Sequence, residues 1–239
     1  MNNSKTVGAW VLGISLIIGL SALGYLLGEA AIRYKEYERS VTVKGLSERE
    51  FPADIVIWPI QFTEASNDLG ALYTALQKSS DQIRNYLLAA GIDASEISVS
   101  VPGITDKAAQ QWGDGSRAEF RYTAMQSVTV YSSEVATVRE SMNGLNELGK
   151  QGIVFSGDAY QNQVQYLFTR LNEVKPGMIE EATTAAREIG IKFAEDSNSS
   201  LGKIRQASQG QFSIEARDTN NPHIKKVRVV STVEYYLSD

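Results

Sequence analysis

The segment Val7 to Leu27 (VGAWVLGISLIIGLSALGYLL) contains no charged residue. At a rise of 1.5 Å per residue, a helix of that length reaches roughly 32 Å, enough to cross a hydrocarbon core. Trp10 and Tyr25 lie near its two ends, where amphipathic rings favour the membrane interface. The sequence therefore reads as a tail over 1–6, a membrane anchor over 7–28, a juxtamembrane linker over 29–40 and a folded domain over 41–239. A cleaved signal peptide is the competing reading, with Gly28 and Ala30 as the small residues of a cleavage site. The apolar run is longer than the usual signal core, which favours a retained anchor. Gly24 and Gly28 form a GxxxG, and Ala9–Gly13 and Ser15–Gly19 repeat the spacing that lets helices approach closely in lipid.

Flanking charge does not orient the span. Lys5 precedes it, and Arg33, Lys35 and Arg39 follow it. Counted literally, this puts the following domain in the cytoplasm, but long domains translocate despite such charges.

Composition narrows the chemistry. The chain has 239 residues, a net charge of -5, no cysteine and one histidine. Disulfides, thiolate nucleophiles and zinc–thiolate sites are excluded, as is a multi-histidine centre within one chain. Acidity argues against broad nucleic-acid binding.

Beyond residue 40 the hydrophobic pattern alternates between periods of 2 and 3.6. Val41–Gly45 predicts a strand and Phe51–Asp54 a turn. Val56, Trp58, Ile60 and Phe62 then share one face of a second strand, which Pro59 marks as an edge or a bulge. A helix follows, capped by Ser66 or Asn67, striped by Leu69, Leu72, Leu76, Ile83 and Leu87, and ended by Gly91. Ile97–Val101 predicts a strand, Asp106–Arg117 a polar loop or hairpin tip, and Phe120–Tyr131 another strand. A second helix, capped by Ser133, carries Val135, Val138, Met142 and Leu145 and stops at Gly149. Ile153–Phe155 and Val164–Phe168 predict a strand pair around a turn at 157–162. A third helix is striped by Ile179, Ala182, Ala186, Ile189 and Phe193. Strands near Ile204 and Phe212 and over Val227–Leu237 complete an α+β domain of alternating helices and paired strands.

The stretch VTVKGLSEREFPADIVIWPIQFT resembles the opening of SIMPL-domain proteins: Val41, Val43 and Gly45 form the V-x-V-x-G strand, and Pro52 and Asp54 the P-x-D-like turn. Arg121–Ala124 with Val128–Val130 resembles the family's central strand. Glu180–Arg187 through Leu201–Ile204 resembles its Ala-rich helix and the strand start that follows. A second Gly often found soon after Gly45 is missing. The resemblance implies a bacterial envelope protein, periplasmic or anchored in the inner membrane with its domain facing the periplasm. It also implies large, ring-like homo-oligomers. Some bacterial relatives are described as oxidative-stress defence proteins, and animal relatives act as signalling adaptors. No catalytic, cofactor-binding or metal-binding residue is implied. Without cysteine there is no peroxidatic thiol, so a stress role would be indirect.

Short motifs add no chemistry. Gly144–Lys150 matches G-x-x-x-x-G-K, but Gln151 replaces the Ser/Thr and a helix precedes it. Gly113–Ala118 mimics a dinucleotide fingerprint without a preceding strand. Gly45-Leu-Ser47-Glu-Arg49 falls short of a nucleophile elbow, and the lone His223 lies in an Asn-Asn-Pro turn. Asp196-x-Asn198-x-Ser200 lacks the Gly and Glu of a calcium loop. Lys225, Lys226 and Arg228 read as a solvated strand end. The expected function is a non-enzymatic, membrane-anchored homo-oligomeric scaffold, held to lipid through Val7–Leu27. The alternative is an oligomeric binding module for a peptide, lipid or small molecule. Carboxylate catalysis through Asp54 or Asp158 is a third reading that their spacing does not support.

Overall fold

A computed structural model of the chain describes residues 3–37, 39–109, 119–156 and 163–238. Two compact units emerge, one made of Met1–Glu48, Lys175–Ser213 and Arg228–Asp239, the other of Arg49–Val174 and Ile214–Val227.

In the first unit, helix α1 (Asn3–Tyr37) continues past the apolar run without a break. Strands β1 (Ser40–Pro52), β8 (Ser200–Gln209) and β10 (Ile224–Ser238) form a sheet of order β1-β10-β8, against which helix α5 (Leu171–Asp196) packs. Val43, Ala186, Val233 and Tyr235 form the core, with Val41 and Leu201 against it. The stripe of α5 that is buried is Met178, Ala182, Ala186, Gly190 and Ala194. Of the expected stripe, Ala182 and Ala186 are buried, whereas Ile189 is 38% and Phe193 55% exposed. The reason is small size: with Ala and Gly inward, β1 reaches the helix backbone. A Cβ at Gly45 would overlap the Ala182 carbonyl oxygen and the Ala186 nitrogen. Pro176 stands inside α5, near its start.

The second unit is built on strands β2 (Ile55–Ser66), β3 (Ile97–Val99), β5 (Tyr122–Ser132) and β6 (Val154–Phe155), in the order β3-β5-β2-β6. Strand β4 (Gly103–Asp106) also pairs with β5, and β7 (Gln165–Leu167) with β2. β4 falls partly within what the polar composition marks as loop. Helices α2 (Leu69–Ala89), α3 (Val135–Asn143) and α4 (Leu145–Lys150) complete the unit. One sheet face carries Val56, Trp58, Ile60, Phe62, Ala124, Val128 and Val130 into a core with Leu72, Leu76, Ile83, Leu87, Val138 and Leu148. The predicted period-2 face of β2 is therefore the buried one, while Leu69 of the predicted helix stripe is exposed.

β2 is a central strand, which corrects the edge expectation. It pairs without a register shift along β5, Pro59 opposite Thr129. On its other side β7 covers Ile55–Ile57 and β6 covers Phe62–Thr63. Gln61 accepts a hydrogen bond from the Ser156 N–H on that side, so by the period of 2 the imide nitrogen of Pro59 points the same way. It falls in the interval between the two short ladders, where no donor is required. β6 and β7 are both antiparallel to β2, so they follow one another along it and do not form the expected hairpin with each other.

Local chemistry sets the helix ends. Asp68, not Ser66 or Asn67, caps α2 by accepting from the Ala71 N–H at 2.7 Å, and Ser66 accepts from the Asp68 N–H. Gly91 follows α2 with φ +91°, the left-handed conformation glycine adopts without strain. The helix expected from Ser133 to Gly149 is two helices. Its N-cap is Glu134, without a side-chain cap bond. At Gly144 a Cβ would strike the Tyr86 hydroxyl, which donates to the Ser141 carbonyl at 2.6 Å.

Candidate functional site

Three places were singled out by the sequence: the apolar helix, the P-x-D turn and the scattered short motifs. In α1, the stretch Gly13–Ala30 is long and apolar enough to cross a membrane, and none of it is buried. Leu16, Ile17, Ile18, Leu20, Leu26 and Leu27 are all exposed. Gly13, Gly19, Gly24 and Gly28 face open space. A helix apolar on every side, with its leucines and isoleucines outside, is suited to lipid and unsuited to water.

At the P-x-D turn, the Asp54 carboxylate accepts from the Thr169 N–H at 2.9 and 3.0 Å and from the Arg170 N–H at 3.2 Å, and pairs with the Arg170 guanidinium at 3.2 Å. Burial pushes its pKa up. The bonds from Thr169 and Arg170 together outweigh that and hold the carboxyl below its ordinary value. Phe51 stacks on Phe168 at 5.1 Å beside it. Asp54 is thus occupied in fixing the turn that leads into α5.

The remaining motifs resolve into helix ends and turns. Gly144–Lys150 spans α4, with α3 before it and β6 after it, the reverse of a phosphate loop; Lys150 pairs with Glu147 at 2.7 Å. Asn198 has φ 52°, and the Ser199 N–H donates to the Ala194 carbonyl while the Asn198 N–H donates to that of Glu195. This is the paired-bond helix stop that uses a left-handed residue, so the Asp196–Ser200 stretch closes α5. Buried Ser47 donates to Glu181 at 2.9 Å. Arg228 faces Glu48 at 3.8 Å. Gly113–Ala118 and Asp158 lie outside the described residues.

Sequence reasoning did not anticipate an open cavity in the second unit. It measures about 640 Å³ and is lined by Gln163, Val164, Tyr166, Ala216, Asp218, Thr219 and Pro222. Its wall is the hairpin between β9 (Ser213–Ala216) and β10, whose turn is held by Asp218 accepting from the Asn220 and Asn221 N–H groups. The Arg217 hydrogen bond, with those of Asn221 and Asn220, lowers the Asp218 pKa to about 2. His223 meets Tyr166 edge-on at 6.0 Å. Burial lowers the His223 pKa, and Arg139 and Arg217 lower it further against the opposing charge of Asp218. Burial raises the Tyr166 pKa. Arg217 at this wall pairs with both Asp218 at 2.9 Å and Glu50 at 3.7 Å. Among the described residues, no cluster of three or more His, Cys, Asp or Glu side chains is placed to hold a metal.

An α+β protein whose amino-terminal helix is suited to a bilayer is the class these features define. Residues 41–234 match the SIMPL family, described as a protein of unknown function (DUF541), and the chain belongs to that family. No curated protein matches it. The V-x-V-x-G and P-x-D positions that carried the resemblance have structural work: Val43 in a core, Gly45 against α5, Asp54 on the turn before it.

Proposed function

We propose that this is a non-enzymatic, single-pass protein of the bacterial inner membrane, with its α+β part in the periplasm, where copies assemble into a closed homo-oligomeric scaffold. The observation that carries the reading is the exposed apolar helix Gly13–Ala30 ahead of a SIMPL domain. The side of the membrane and the assembly are drawn from family resemblance. Identical copies joined head to tail close into rings when the rotation permits. Many anchors on one ring would raise membrane avidity without tight pairing between spans. Any part in stress defence is indirect in a chain with no cysteine and four methionines.

A reporter fused after Asp239 tests the topology: alkaline phosphatase activity should be high and cytoplasmic fluorescence low. Mass photometry of the detergent-extracted chain tests the assembly, and a monomer would overturn it. The second reading, a binding module, draws on the cavity beside Tyr166; a ligand co-purifying with the native protein would favour it.

A further inference from the structure

Exposed large apolar side chains are unevenly placed in the first unit. Among its described residues outside α1 they are Leu46, Ile189, Ile191, Phe193, Ile204 and Tyr236. All but Leu46 crowd one end. Ile189, Ile191 and Phe193 stand in the last eight residues of α5. Ile204 and Tyr236 lie within about 15 Å of where β8 begins and β10 ends. These ends coincide. Leu237 pairs with Leu201 and Ser238 with Ser200, the Leu237 N–H donates to the Arg39 carbonyl, and the Arg39 guanidinium donates to the Ser199 hydroxyl at 3.2 Å, just past α5. Phe193 is 55% and Ile204 50% exposed. Single apolar side chains at a surface are ordinary, but their concentration marks a contact.

The same end carries the anchor. α1 runs to Tyr37 and β1 starts at Ser40, so only residues 38 and 39 join them. From Ala30, where the apolar stretch ends, the helix rises about 10 Å to Tyr37. Three chain steps add at most about 11 Å. Ser40 is therefore held within roughly 20 Å of the hydrocarbon core, and the headgroup region fills about 5–8 Å of that distance.

We propose that this end of the first unit docks on the bilayer that holds α1, with Ile189, Phe193, Ile204 and Tyr236 entering the boundary between headgroups and acyl chains. The inference rests on the single-pass anchor proposed above and gives the protein a second contact with lipid. The short joint selects the occupant. It keeps the bilayer within reach of this end at all times, so a weak contact forms without any cost of encounter. The residue types agree. Phe and Ile gain by leaving water, and Tyr favours the interface, where its hydroxyl stays among the headgroups. Lys192 and Lys203 keep their ammonium groups in water while their stems lie along the apolar surface. Charge does not drive the contact. Lys192, Lys203 and Arg205 stand near Glu195, Asp196 and Glu234, Arg205 pairing with Glu234 at 3.0 Å, and the chain carries a net charge of -5. Docking is thus apolar and needs no anionic lipid. Leu46, about 20 Å along β1 from Ser40, stays in water.

The test uses the full-length chain in phosphatidylcholine vesicles. The chain has no cysteine, so Phe193→Cys, Ile204→Cys and Leu46→Cys each give one labelling site. With a nitrobenzoxadiazole dye on the thiol, quenching by brominated phosphatidylcholine should be about three-fold or more greater for Phe193→Cys and Ile204→Cys than for Leu46→Cys, and unchanged in high salt. Adding Phe193→Ser and Ile204→Ser to Ile189→Cys should keep the far-UV circular dichroism and cut the quenching of that label by about half. Should this variant unfold, the single labels decide. If the chain does not float with the vesicles, the anchor reading fails and the docking with it. If it floats but all three single labels are quenched alike, docking is overturned while the anchor stands. Quenching that appears only with added phosphatidylglycerol and fades in salt would overturn the apolar contact. Labels at this end that are shielded from water yet not quenched by brominated lipid would place a second copy of the chain there and overturn the proposal.

Discussion

The carboxylate of Asp54 holds the backbone N–H of Thr169 from a position 115 residues earlier in the chain, at 2.9 and 3.0 Å. A side chain in the first turn of the second unit thereby fixes the approach to α5. The arrangement satisfies amide donors that the helix start leaves without carbonyl partners, in the manner of an N-cap.

Replacing Asp54 should therefore cost stability and leave no specific chemistry missing. Asp54→Ala is expected to lower stability by about 1–3 kcal/mol, the range for a charge-assisted bond whose donors are left behind. The sign with pH follows from the lowered pKa. A carboxyl depressed in the folded state contributes fully above its unfolded pKa, about 3.9, and loses that contribution as pH falls through the folded value. The difference in melting temperature between the parent and Asp54→Asn should accordingly shrink below about pH 4. A gap that persists undiminished at pH 2 would assign the effect to packing.

Gly45→Ala should be strongly destabilising although only a methyl is added. The clash is with the helix backbone at Ala182 and Ala186, which cannot rotate away. Overpacking of this kind costs about 1–3 kcal/mol or more, a fall of at least 2–4 °C in melting temperature for a domain of this size. Thermal unfolding followed by circular dichroism reads it, and an unchanged midpoint would show that β1 does not lie against α5.

On α5 the apolar residues that look important should matter less than the alanines. Phe193→Ser is expected to change stability by no more than about 0.5 kcal/mol, as at other exposed sites. Ala186→Leu should lower it by about 1–3 kcal/mol, since Ala186 is fully buried. The reverse order in urea unfolding would put the helix in the rotation that the large side chains alone suggest.

The membrane helix gives a fourth test. The full chain should sediment with membranes and resist alkaline extraction, and a chain lacking residues 1–39 should not. Leu20→Arg, near the middle of the apolar run, adds roughly 2.5–3.5 kcal/mol to insertion and should raise the extractable fraction. N-terminal sequencing of protein from native membranes distinguishes retention from cleavage: a start near Ala31 would mean a removed signal.

Reading the residues in order was enough to find the apolar span, most of the helices and strands and the buried face of β2, but not β4 or the break between α3 and α4. Each of these depends on local repetition: uncharged length, a period of 2, a period of 3.6. The family pattern was legible for the same reason, since Val41, Val43, Gly45, Pro52 and Asp54 sit close together in the chain. What those residues do was decided only by folding. Gly45 reads as strand punctuation until α5 is brought against it from more than 130 residues away, and Asp54 reads as a spare carboxylate until Thr169 and Arg170 reach it. Pro59 marks an edge by the local rule, yet β2 is central, because the gap between β6 and β7 leaves its missing donor without consequence. Ala182 and Ala186 were read correctly on α5, but Ile189 and Phe193 were added to their stripe because hydrophobicity favours Ile and Phe, while close contact between a helix and a strand selects for the smallest side chains.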